Sequence, residues 1–127
     1  MKLQPDKFDA PAIQAYGPGW IGVAGEKIIR SVVIGSRGQR LDWECDSFAA
    51  LTTAHFAQLA ALEAELVIFG SGHTLRFPQA QWLQPLMARR VGLETMDTPA
   101  ACRTYNILAG EGRNVVAALL LEDLHRE

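Results

Sequence analysis

Residues 66–72 read Leu66-Val67-Ile68-Phe69-Gly70-Ser71-Gly72, four apolar side chains in a row stopped by a glycine turn. A run this short and continuous fits a strand covered on both faces, and such a strand needs helices above and below it. Upstream, Phe56, Leu59, Ala60 and Leu66 recur at helical spacing behind Thr52 or Thr53 as a cap, which predicts a helix over 52–63. Downstream, Trp82, Leu83, Leu86 and Met87 repeat at three and four between Pro78 and Gly92, which predicts a second helix over 79–91. Pro85 lies inside it and should kink it, or delay its start behind an irregular first turn. Leu93 to Met96 is a short strand, and Asp97-Thr98-Pro99 opens a third helix over 99–109 with a capping oxygen and then proline. Val115 to Leu121 is again a strand buried on both faces, and the chain from Leu124 onward is expected to fray.

The first third of the chain has strand chemistry. Residues 19–24, 27–35 and 39–44 are rich in Ile, Val and Trp and are separated by turn residues around Gly25 and Gly38, with a further short strand at Ile13 to Tyr16. The strand at 66–69 is expected to be central, parallel to the strand at 93–96, because a helix of about a dozen residues connects them as a crossover. The order is a β-meander followed by αβαβαβ, an α/β class in one domain spanning 1–127.

Composition narrows the function classes. Of the 127 residues, 49% are hydrophobic and 20% charged, as in a packed globular chain. Twelve basic residues against fourteen acidic ones give a net charge of −2, which argues against binding nucleic acid through phosphate neutralisation. The longest uncharged apolar run is far below the ~20 residues that cross a bilayer, so no stable membrane insertion is expected. The first residues, MKLQPDKFDAP, show neither a signal nor a transit pattern, and the expectation is a cytoplasmic protein. Cys45 and Cys102 lack metal-ligand spacing and read as two reduced thiols. The scatter of His55, His73 and His125 gives no metal cluster, and no cofactor motif is present.

Two segments carry candidate chemistry. Gly70, Ser71 and Gly72 close a buried strand where α/β sheets bind ligands, although the third glycine of a dinucleotide fingerprint is replaced by Leu75 and the lysine of a P-loop is missing. Thr98 opens a helix whose positive end favours an anion, with Arg76 or Arg103 available to complete the site. The plainer reading makes the glycines a tight turn and Arg103, Glu111 and Arg113 surface ion pairs. Cys102, near a helix start, is the one nucleophile that motif reasoning offers, and a small buried thiol explains it equally.

The segments GSGHTLRFP (70–78) and MDTPAACRTYNILAGEGRNVVAALL (96–120), together with IIRSVVI in the early β region, resemble a small α/β family that includes the mitochondrial NADH:ubiquinone oxidoreductase complex assembly factor 3 and its bacterial and archaeal relatives. The resemblance implies a three-layer fold with a mixed central sheet, and it brings no catalytic residues. The leading expectation is a non-enzymatic interaction or assembly module with a protein partner, compatible with a small homo-oligomer. The alternative is a protein or enzyme that binds a small anion or metabolite at Gly70–Gly72 and Thr98.

Overall fold

A computed structural model describes residues 12–122. The expectations for the first eleven residues and for the chain from Leu124 onward lie outside that range. Strands β1 (Ile13–Gly17), β2 (Trp20–Val23) and β3 (Glu26–Ile28) form an antiparallel outer sheet in that order. Strands β4 (Val32–Gly35), β5 (Arg40–Asp42), β6 (Leu66–Gly70), β7 (Gly92–Met96) and β8 (Val115–Leu119) form the central sheet in the order β5-β4-β8-β6-β7. Its β6 is parallel to both β7 and β8, while β4 is antiparallel to β5 and β8, so the sheet is mixed. The helices are α1 (Thr53–Ala60), α2 (Gln84–Ala88) and α3 (Thr98–Gly110).

Alternation along the central strands builds two cores. Val33, Val67, Phe69, Val116, Ala118 and Leu120 face Trp43, Phe56, Leu59, Trp82 and Leu86, under α1 and α2. Val32, Ile34, Ile68, Val115, Ala117 and Leu119 face Ala101, Cys102, Tyr105 and Ala109 of α3 and the inner side chains of the outer sheet. Helices, sheet, and then helix with outer sheet give the three layers, and continuous apolar runs in β6 and β8 follow from cover on both sides.

Three boundaries differ from the periodicity. The segment 27–35 is not one strand: it breaks at Ile29-Arg30-Ser31 as the chain passes from the outer to the central sheet. Buried Ser31 makes the crossing, its hydroxyl accepting from Leu121 N at 2.9 Å and its carbonyl from Trp43 N at 3.0 Å. The first helix ends at Ala60, because the chain turns through a left-handed Glu63 (φ 59°) to enter β6. Strand β6 is interior, but β8 holds the middle place. At Pro85 the chain takes the delayed start: a 3-10 turn over Ala80–Leu83 precedes α2, and the proline falls in its first turn, where a missing amide costs nothing.

Candidate functional site

Because β6 and β7 are adjacent and parallel, the turn after β6 and the start of α3 after β7 emerge side by side. Their backbones interlock. Ser71 N donates to Met96 O (2.8 Å), Thr98 N to Gly72 O (2.8 Å), and Gly72 N to the Thr98 hydroxyl (2.9 Å). That hydroxyl in turn donates to Leu120 O (2.9 Å), while Leu120 N donates to Gly70 O (3.0 Å). One buried threonine oxygen therefore links the turn, the helix and the strand extending from β8. Gly72 adopts φ +105°, the left-handed region that favours glycine. Gly70 has a different constraint: a Cβ there would lie 3.0 Å from the Thr98 Cα and 3.1 Å from the Ala101 Cβ.

The donors that would hold an anion at this helix start are occupied. Ala100 N donates to the Asp97 carboxylate (2.8 Å), Ala101 N to Asp97 O (2.9 Å), and Pro99 has no N–H. Ser71 is buried, its hydroxyl accepting from Arg76 N (2.9 Å) and donating to Thr74 O (2.7 Å). Arg76 donates through Nη2 to Ser71 O (2.8 Å) and Glu122 Oε1 (2.7 Å), with its guanidinium 5.0 Å from the centre of the Phe48 ring. Its Nε is buried with no acceptor. Arg103 points elsewhere, donating to the Tyr16 hydroxyl (2.9 Å) and joining α3 to β1. The structure thus brings Gly70, Ser71, Gly72, Arg76 and Thr98 together, and each arginine has its own partner.

Sequence reasoning missed Glu122, which receives both Arg76 and His73 Nδ1 (3.0 Å) on one carboxylate oxygen. The available signal was a charged residue placed directly after seven uncharged apolar ones. Burial alone would raise this carboxyl, but the hydrogen bonds from Arg76 and His73 outweigh it and hold it below the ordinary glutamate range. The folded carboxyl thus titrates below the unfolded one. Its stabilising contribution is complete at neutral pH and decays as the pH falls through and below about 4.3. Melting midpoints measured from pH 7 to pH 3 should fall less steeply for Glu122→Gln than for the unaltered chain. Equal slopes would show that the carboxylate is not held this way.

The thiols offer no nucleophile. Burial pushes Cys102, fully inaccessible on α3, up to about 12, and raises Cys45 as well. Both are free thiols. Among the described residues no group of three or more His, Cys, Asp or Glu is placed to hold a metal ion. Nor is any helix among them long and apolar enough to cross a membrane.

Two openings flank the joint. A cleft of about 290 Å³ lies between the Tyr16–Gly19 turn and Gly72, Thr98 and Leu120. A broader one of about 1180 Å³ runs between the outer sheet and residues 42–50, and His73 and Glu122 border both.

A family described as a protein of unknown function (DUF498/DUF598) matches residues 13–120. Human NADH dehydrogenase (ubiquinone) 1 alpha subcomplex assembly factor 3 is 30% identical over 120 residues, covering 93% of this chain and 65% of its own length, so the chain spans just under two thirds of that relative. An uncharacterised Rhodobacter capsulatus protein is 33% identical over 122 residues, covering 92% of this chain and 90% of its own. A crystal structure from Bordetella parapertussis superposes with a TM-score of 0.83 at 36% identity, covering 89% of this chain and 97% of the other. The chain belongs to the DUF498/DUF598 family, which contains complex I assembly factors as well as uncharacterised bacterial proteins.

Proposed function

We propose that this chain is a non-enzymatic interaction or assembly module that docks on a protein partner through the loop over 71–79. The observation that carries this reading is the pairing of a tightly held frame with exposed apolar side chains. Ser71, Arg76 and Glu122 fix the loop from within, and on its outside Leu75 is 52% and Phe77 68% exposed. Large apolar groups held in place at low entropic cost are what a protein interface uses as anchors. Gly70, Ser71, Gly72, Arg76 and Thr98 then act as the scaffold of a partner site, and Arg103 ties the neighbouring helix to the outer sheet. The assembly-factor name of the human relative supports a protein as the partner.

The test is a double change, Leu75→Asp with Phe77→Asp, in a tagged chain expressed in its native host. Surface substitutions of this kind alter stability by no more than about 0.5 kcal/mol each, so the melting midpoint should stay nearly unchanged. Recovery of specific partner proteins should drop at least about tenfold, corresponding to roughly 1.4 kcal/mol of lost binding. Recovery of the same proteins in the same amounts by the altered chain would overturn the proposal.

A further inference from the structure

We infer that the partner of the loop over 71–79 docks as a β-strand, adding an extended segment with apolar side chains at alternate positions to the open backbone edge of Leu75, Phe77 and Gln79. This rests on the reading of that loop as the docking surface, and it names what the partner must present there.

After the bends at Gly72, His73 and Thr74 the chain runs straight from Leu75 to Gln79. Local chemistry keeps it so. Phe77 precedes a proline, which disfavours the helical region, and Gln79 sits at φ −67° and ψ 144° before the 3-10 turn. Exposure alternates as in a strand: Leu75, Phe77 and Gln79 are exposed, while Arg76 and Pro78 are half-buried. The backbone divides the same way. Successive residues of an extended chain direct their N–H and C=O to opposite edges, so 76 and 78 share one edge and 75, 77 and 79 the other. The first edge is tied to the core through the Ser71 hydroxyl, which accepts from Arg76 N (2.9 Å). Pro78, with no N–H, falls on that same edge and removes nothing from the other. On the second edge Leu75 N and O, Phe77 N and O, and Gln79 N have no hydrogen-bond partner among the described residues. Gln79 O closes the row by accepting from Trp82 N (3.0 Å). Buried backbone groups are almost always paired, so these five face solvent. They recur about every 6.6 Å, two strand residues, which is the spacing of the groups that a pairing strand offers. A strand laid along them sets its alternate side chains beside Leu75 and Phe77, so main-chain bonds supply affinity while the apolar pairs select the sequence. A helix uses its own main-chain groups internally and would pair with none of the five.

The experiment removes one backbone N–H and no side chain. Phe77→3-phenyllactic acid, introduced into the 127-residue chain by nonsense suppression, turns the amide between Arg76 and Phe77 into an ester. Phe77 N has no partner within the described chain, so the melting midpoint should stay unchanged. The probe is the set of native-host proteins that the unaltered chain retains and that Leu75→Asp with Phe77→Asp loses. Binding of these proteins should weaken by about fivefold or more, since one interface hydrogen bond is lost and an ester oxygen is set against a carbonyl. Equal recovery by the ester and amide chains would overturn strand addition and leave the docking surface standing. A dimer of the pure chain that the ester dissolves, read by sedimentation, would assign the edge to a second copy and overturn the inference as well. If no recovered protein depends on Leu75 and Phe77, the docking surface itself fails and the inference falls with it.

Discussion

Gly70→Val should lower stability by about 3 kcal/mol, the upper range for inserting volume into a packed core. The added Cβ alone would sit 3.0 Å from the Thr98 Cα and 3.0 Å from its hydroxyl oxygen, and two further methyls have no room against Ala101. Backbone cannot swing aside as a flexible side chain does, so α3 must lift from the sheet end. For a chain of this size the melting midpoint should fall by roughly 12 °C. Gly110→Ala is the control. Nothing lies within 4 Å of a Cβ at that position and its φ is not left-handed, so the change should be neutral or stabilise by up to about 1 kcal/mol. Equal losses for the two variants, read from denaturant unfolding, would remove the close approach as the reason for glycine at position 70.

Thr98→Val should cost about 2–4 kcal/mol, since it leaves two buried backbone groups, Gly72 N and Leu120 O, without the partner they share. The replacement is close to isosteric, so the loss reports hydrogen bonding more than volume. Thr98→Ser keeps the oxygen and removes a methyl, and should cost only about 1 kcal/mol. If serine proved as damaging as valine, the role of Thr98 would be packing, and the oxygen would not be the link between turn, helix and strand.

These two residues also show how far the sequence could be read. The apolar runs of β6 and β8 declare strands covered on both faces, and Asp97-Thr98-Pro99 declares a helix start, since each signal is local and arises from solvent exclusion or capping. Parallel pairing of β6 with β7 follows from the crossover helix, and it is what brings the glycine turn against Thr98. The split of 27–35 was not legible, because Arg30 and Ser31 interrupt the apolar residues much as they would in a single strand with one face in solvent, and the strand pairing and the bond from Leu121 N to the Ser31 hydroxyl reveal the crossing. The state of the helix amides was hidden for a related reason. Whether a helix start is open or closed depends on groups distant in sequence: the Thr98 hydroxyl and Gly72 are 26 positions apart, and Arg76 and Glu122 are 46 apart. A motif can place donors at a strand end, but it cannot say whether another part of the chain has taken them.

The claim on which the reading of this joint depends is that its amides are bound internally, leaving the outer loop to make contacts. Native-state hydrogen exchange at Gly72 N and Thr98 N, followed with and without inorganic phosphate, addresses it directly. Exchange through opening of the folded core should leave both amides protected to nearly the global unfolding free energy, with no change in their resonances on adding phosphate. Fast exchange at either amide, or a saturable phosphate-induced shift at Gly72 and Thr98, would contradict the account and restore an anion site at the turn.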